Sequence, residues 1–213
     1  MEFVTDLFEY FVNHWDHLLM LTVDHIIMVV SGIGLALIVG IPLGIISAKN
    51  KVLARIILSV ANFIQVFPSI ALLGLLMVFF GLGFKTVVVG LFLYSLLPII
   101  SNTYVGLREV DESISEAGKG LGMTVTQLLF KVQLPLSLPF LLAGVRIAAV
   151  IAVGVATLAP FIGGDGLGKD IVAGINTRQD VKIYGGAIVA ALLAILVDVT
   201  LGQAQKRTEQ RNA

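Results

Sequence analysis

Residues 26–48 read IIMVVSGIGLALIVGIPLGIISA, a run of 23 without a charge, closed by Lys49 and Lys51. A helix that crosses a bilayer needs roughly 20 mostly apolar residues, so this run reads as a membrane span. Working outward, 29 uncharged residues lie between Arg55 and Lys85, and 22 more run from Thr86 to Leu107. A fourth run, Leu136 to Gly163, is broken only by Arg146, and a fifth, Ile183 to Leu201, carries only Asp198. The second run is long for one straight helix, and Pro68 with several glycines predicts a kink or an early end. The expected fold is an all-α integral membrane bundle of about five transmembrane helices.

Composition agrees. Of 213 residues, 57% are hydrophobic and 13% charged, with a mean hydropathy of +0.99. An ordinary soluble domain carries about 25% charged residues; half that number leaves too little polar surface to face water. The chain is therefore expected to be multi-pass in the cell membrane. Cysteine is absent, which excludes disulfides, thiolate metal sites and a cysteine nucleophile. The three histidines, His14, His17 and His25, precede the first apolar run, and no metal site is expected from them.

Residues 1–24 differ from the rest. They hold five acidic residues, no Lys or Arg, and Phe3, Leu7, Phe8, Phe11, Trp15 and Leu18 at spacings that place them on one helix face. Without a basic n-region this is no cleavable signal peptide. An amphipathic extracytoplasmic helix at the membrane surface is expected, a short extra span over 3–20 being the alternative. Orientation follows from the basic residues, which accumulate in cytoplasmic loops. With the N-terminus outside, nine of them (Lys49, Lys51, Arg55, Arg108, Lys119, Lys131, Lys206, Arg207, Arg211) lie inside and four (Lys85, Lys169, Arg178, Lys182) outside. The chain is read as N-out, C-in, with a transmembrane domain over 25–201 and a cytoplasmic tail over 202–213.

The long cytoplasmic loop, 108–135, is patterned. Asp111 suits an N-cap, with Glu112 in the first turn. Ile114, Ala117 and Leu121 follow at helical spacing. Gly122 breaks the run, Thr124 offers a second cap, and Val125, Leu128 and Leu129 make a second apolar stripe before Pro135. Two short helices joined by a glycine turn and closed by Pro135 are expected.

Glu116-Ala117-Gly118, three residues, Gly122, nine residues, Val132, one residue and Leu134-Pro135 resemble the EAA motif of ABC-importer permeases. The spacing is met throughout; the departure is Gly118, where the family usually has Ala. Further segments are similar to the permeases for quaternary-ammonium osmoprotectants such as glycine betaine, carnitine and choline: Gly40 to Gly44, Gln65 to Gly74, Leu96 to Tyr104, Gly144-Val145-Arg146 and Gly163 to Gly168. The resemblance implies a coupling helix at 108–135, seated on a separate ATPase dimer that binds the ATP and Mg, with no cofactor on this chain. It also implies a second permease copy or paralogue enclosing one path, and an extracytoplasmic solute-binding protein. Surrounding lipid completes the partners; no nucleic acid is expected. A permease for another small polar solute, such as an amino acid, is the alternative.

Other features have two readings each. Arg146 either lines the path or snorkels to the cytoplasmic interface, and a pair with Asp198 is open to it. Asn62, Gln65, Ser69, Tyr94, Asn102 and Tyr104 either line the path or bond neighbouring helices. Gly163 to Asp170 nearly fits a phosphate-binding loop but places Asp170 where a hydroxyl belongs, outside the membrane, and reads as a turn at the outer mouth. An intramembrane enzyme would need an acidic pair, a Ser-His pair or metal ligands at membrane depth; the spans hold one Arg and one Asp.

Overall fold

The computed structural model describes residues 2–212; Met1 and Ala213, and the side chain of Arg211 counted above among the inner charges, lie outside it. Backbone amides in hydrocarbon find no water, so each crossing must bond itself. Every regular element among the described residues is accordingly helical. In chain order these are α1 (Glu2–Asn13), α2 (Trp15–Lys49), α3 (Lys51–Val66), α4 (Ser69–Phe80) and α5 (Phe84–Arg108). They continue as α6 (Glu112–Gly120), α7 (Val125–Leu128), α8 (Leu134–Ala156), α9 (Gly168–Thr177) and α10 (Asp180–Asn212).

Glycine brings α2 and α5 together. A Cβ at Gly32 would lie 2.6 Å from Leu91 Cβ, one at Gly40 2.9 Å from Ile99 Cγ2, and one at Gly44 2.5 Å from Thr103 Cβ. The partners stay in step along both helices, so α2 and α5 run parallel. On the other side of α5, Gly106 abuts Phe140 and Gly144 abuts Pro98 and Asn102; here the order reverses, and α8 runs antiparallel.

Two parallel helices oblige the chain to recross the bundle between them. That return is not one straight helix. It is α3 and α4, bent by 100° at the break. Pro68 has no amide hydrogen to continue a helix and pushes Phe67 to extended backbone, φ −60° and ψ 138°. The Tyr94 hydroxyl of α5 donates to the Phe67 carbonyl at 2.5 Å and braces the bend. Farther along, Leu73 packs where a Cβ on Gly90 would fall, so the broken pair runs antiparallel to α5. Among the described residues four helices are thus long and apolar enough to cross a bilayer, and the bent pair makes a fifth, broken crossing. The registers also place Lys49, Lys51, Arg108 and Lys131 at one end, which the charge rule makes cytoplasmic.

The N-terminal region divides at His14 rather than at Asp24: residues 15–24 are the first turns of a 35-residue α2. At 1.5 Å per residue this helix is about 52 Å long, more than a bilayer core needs, and extends beyond it at the outer end. There α1 is latched by a buried carboxylate. Asp170 of α9, 4% exposed, accepts from Tyr10 Oη at 2.6 Å and His17 Nε2 at 2.9 Å. Burial, then the bond to Asp170, pushes the Tyr10 phenol well above its ordinary pKa. The glycines of the outer turn are consumed in packing: a Cβ at Gly164 would strike Val87, one at Gly166 Met28 and His25, and one at Gly168 the Thr157 carbonyl.

Gly44→Leu is expected to separate α2 from α5 and cost about 1–3 kcal/mol, as overpacked cores do. Thermal melting in detergent checks it: Gly44→Leu should melt well below wild type, while Gly34→Leu, with open space beside it, should not.

Candidate functional site: the hairpin at the basic end

The loop 108–135 leaves α5 and returns through α8. Asp111 Oδ1 accepts the Ser113 amide at 2.8 Å and caps α6. Bonds from Ser113, side chain first and then backbone, hold the Asp111 carboxyl below the usual range. α6 ends at Gly120 and the chain turns at Gly122, whose φ of +79° is left-handed backbone that a side chain would strain. Thr124 then starts α7 with a full capping box: its Oγ1 accepts the Gln127 amide and Gln127 Oε1 accepts the Thr124 amide. Gly118 is where the hairpin closes on itself, since a Cβ there would sit 2.8 Å from Leu128 Cδ1. The small residue at this departure from the motif makes room for Leu128.

Pro135 does not close the element, contrary to expectation. α7 passes through a single π turn, Leu129–Gln133, directly into α8, giving one continuous helix from Val125 to Ala156. A π turn widens the spacing of carbonyls and lets proline enter the first turn of α8 without a clash. The arm carrying Val132, Leu134 and Pro135 is therefore the cytoplasmic extension of the fourth crossing. Any force on the hairpin bears on that crossing directly.

The tip is apolar and uncovered. Leu121 is 84% exposed and Val125 71%, and Phe130 farther along is exposed as well. Glu116 and Ala117 also face outward, whereas Val132 and Leu134 are half-buried. Side chains of this kind on a basic, water-facing end mark a surface made to be covered.

The polar residues of the second and third runs scatter. Tyr94 is buried and spent on the bend. Asn102 is half-buried and donates to the Pro98 carbonyl of its own helix at 2.8 Å. Tyr104 lies under the Arg108 guanidinium at 5.9 Å. Gln65 and Ser69 are half-buried near the break, and Asn62 is exposed. Of the six, Tyr94, Gln65 and Ser69 share a place, the break at Pro68. Arg146 and Asp198 do meet: Nε donates to Oδ1 at 2.6 Å and Nη2 to Oδ2 at 2.7 Å, joining α8 to α10. The Tyr10–His17–Asp170 latch was missed by sequence reasoning; the only signal was Asp170 spoiling the phosphate-loop pattern.

A bundle of five crossings whose fourth extends into an apolar-tipped hairpin at the basic end has the architecture of a membrane transport subunit. The chain belongs to the family of binding-protein-dependent transport system inner membrane components, whose model matches residues 40–213. It is the permease subunit of an ABC importer and not an enzyme, and the family implies ATPase and binding-protein partners. It is 44% identical over 207 residues to the carnitine transport permease OpuCD of Listeria monocytogenes, covering 97% of this chain and 93% of that protein. It is 43% identical over 203 residues to the glycine betaine/carnitine/choline permease OpuCD of Bacillus subtilis, covering 95% and 89%. In fold it matches a chain of the inward-facing MetNI methionine ABC transporter, with a TM-score of 0.80 at 20% identity, covering 90% of this chain and 95% of that one.

Gly122→Ala should strain the turn by about 1–2 kcal/mol, and Gly122→Asn by less, because asparagine tolerates left-handed backbone. Protease nicking between α6 and α7 in membranes reads this out, the alanine variant being cut fastest.

Proposed function

We propose that this chain is the permease of an importer for quaternary-ammonium osmoprotectants, namely glycine betaine, carnitine and choline. Two copies, or one copy and a paralogue, enclose the path, and an ATPase dimer drives them through the hairpin at 108–135. The uncovered apolar tip, Leu121 and Val125 on a rigidly capped turn, is the observation that carries the coupling half of this reading. The named relatives at 40–44% identity over most of the chain support the solute class.

The mechanism is mechanical. ATP and Mg belong to the ATPase subunits; closing them shifts the groove in which the hairpin sits. Leu121 and Val125 supply buried apolar area there, and Glu116 an outward carboxylate for a polar partner. Gly118 and Gly122 keep the hairpin compact and its turn in register. Because α7 is continuous with α8, movement of the tip is transmitted as tilt of the fourth crossing. α8 in turn packs on α5 through Gly106 and Gly144, so the bundle rocks as a unit between inward- and outward-open states. Solute capture from outside falls to the binding protein, which meets the outer mouth around Gly163 to Asp170.

Cells expressing this chain with its ATPase and binding protein should take up labelled glycine betaine. A Gly122→Trp variant that inserts normally should lose both uptake and ATPase co-purification. Unchanged uptake and co-purification would overturn the coupling role; absence of uptake of every quaternary-ammonium solute by wild type would overturn the substrate class.

A further inference from the structure

Arg146 and Asp198 interrupt otherwise uncharged membrane runs, and their pairing does not seal them away. Their side chains remain 36% and 40% exposed. The guanidinium has five N–H groups; Asp198 takes two, through Nε and Nη2, and the other three have no partner among the described residues. Facing lipid, those groups would have no partner, which is why charges at membrane depth turn toward protein or water. The pair opens onto a cavity of about 470 Å³ between α8 and α10. Ala143, Ile147, Val150 and Ile151 line it with apolar surface, and the pair and Gln205 supply its polar groups. That volume lies in the range of small-molecule sites. Gly202 keeps the space beside the guanidinium, since a Cβ there would lie 3.1 Å from Arg146 Cζ.

We propose that this face lines the water-filled path and that the pair opens to receive a zwitterionic solute. Arg146 takes the solute's carboxylate. Asp198 faces its quaternary ammonium, which cannot hydrogen-bond and is held by charge alone, while its methyl groups rest on Ile147 and Val150. The internal pair serves as the resting partner: each charge is satisfied before the solute arrives and after it leaves, so the site is neutral overall and binds weakly enough to release. The proposal rests on the osmoprotectant reading above. It adds a distinction within that class, because glycine betaine and carnitine carry a carboxylate and choline does not.

The native chain has no cysteine, so Val150→Cys introduces one thiol and leaves the pair intact. In the assembled transporter this thiol should react with a cationic, membrane-impermeant thiol reagent, and glycine betaine should slow the reaction. Arg146→Gln should lower the maximal uptake rate of glycine betaine and carnitine about tenfold and leave that of choline unchanged or higher. Failure of Val150→Cys to react would show a sealed face and overturn the proposal. Reaction without protection, or equal loss for all three solutes, would reduce the pair to a structural tie between α8 and α10. If wild type took up no such solute, the substrate class would fall and solute recognition with it, while labelling of Val150→Cys would still decide whether the face meets the path.

Discussion

The close parallel contact of α2 and α5 sets the rest of the molecule. Lipid gives helices no hydrophobic reason to associate, so packing at short range has to hold them, and small residues permit it. Gly32, Gly40 and Gly44 make a smooth strip against Leu91, Ile99 and Thr103. Because the two helices run the same way, a return crossing must lie between them in sequence, and the broken pair α3 and α4 supplies it. The same orientation brings the ends of α2 and α5 together at the basic end, and the hairpin leaves from there.

From that arrangement the hairpin follows. α5 delivers the chain to Asp111, two caps and one left-handed glycine fold it back, and a π turn carries it past Pro135 into α8 without a joint. A flexible linker would dissipate a push at the tip; a helix continuous from Val125 to Ala156 does not. The glycine contacts of α8 with α5 then spread the movement through the core. At the opposite end Asp170 ties α1 and α2 to α9, so the outer mouth is held by a few polar bonds and closely packed glycines.

Much of this was legible in the sequence because it is local. Charge-free runs bounded by lysine and arginine mark the crossings, and the spacing of Glu116, Gly122, Val132 and Pro135 marks the hairpin. Pro68 announced trouble in the second run, although the Tyr94 bond that braces the bend comes from another helix and has no local signal. Continuity through Pro135 was hidden because a π turn has no sequence signal as plain as the proline it accommodates. The latch was hidden because Asp170 meets residues 153 and 160 positions away, and no periodicity reports such a pairing. Arg146 and Asp198 stood out singly as charges in apolar runs; only the fold shows that they meet and open onto a cavity.

Cross-linking decides whether the apolar tip of the hairpin is the drive contact. Leu121→Cys places a single thiol at the most exposed point of the tip. With a thiol introduced in the groove of the ATPase subunit, oxidation of the assembled complex should yield a permease–ATPase dimer. Its formation rate should change when ATP and Mg are added. No cross-link from Leu121→Cys, with ready cross-linking from a thiol on another cytoplasmic segment such as Lys206→Cys, would contradict the account.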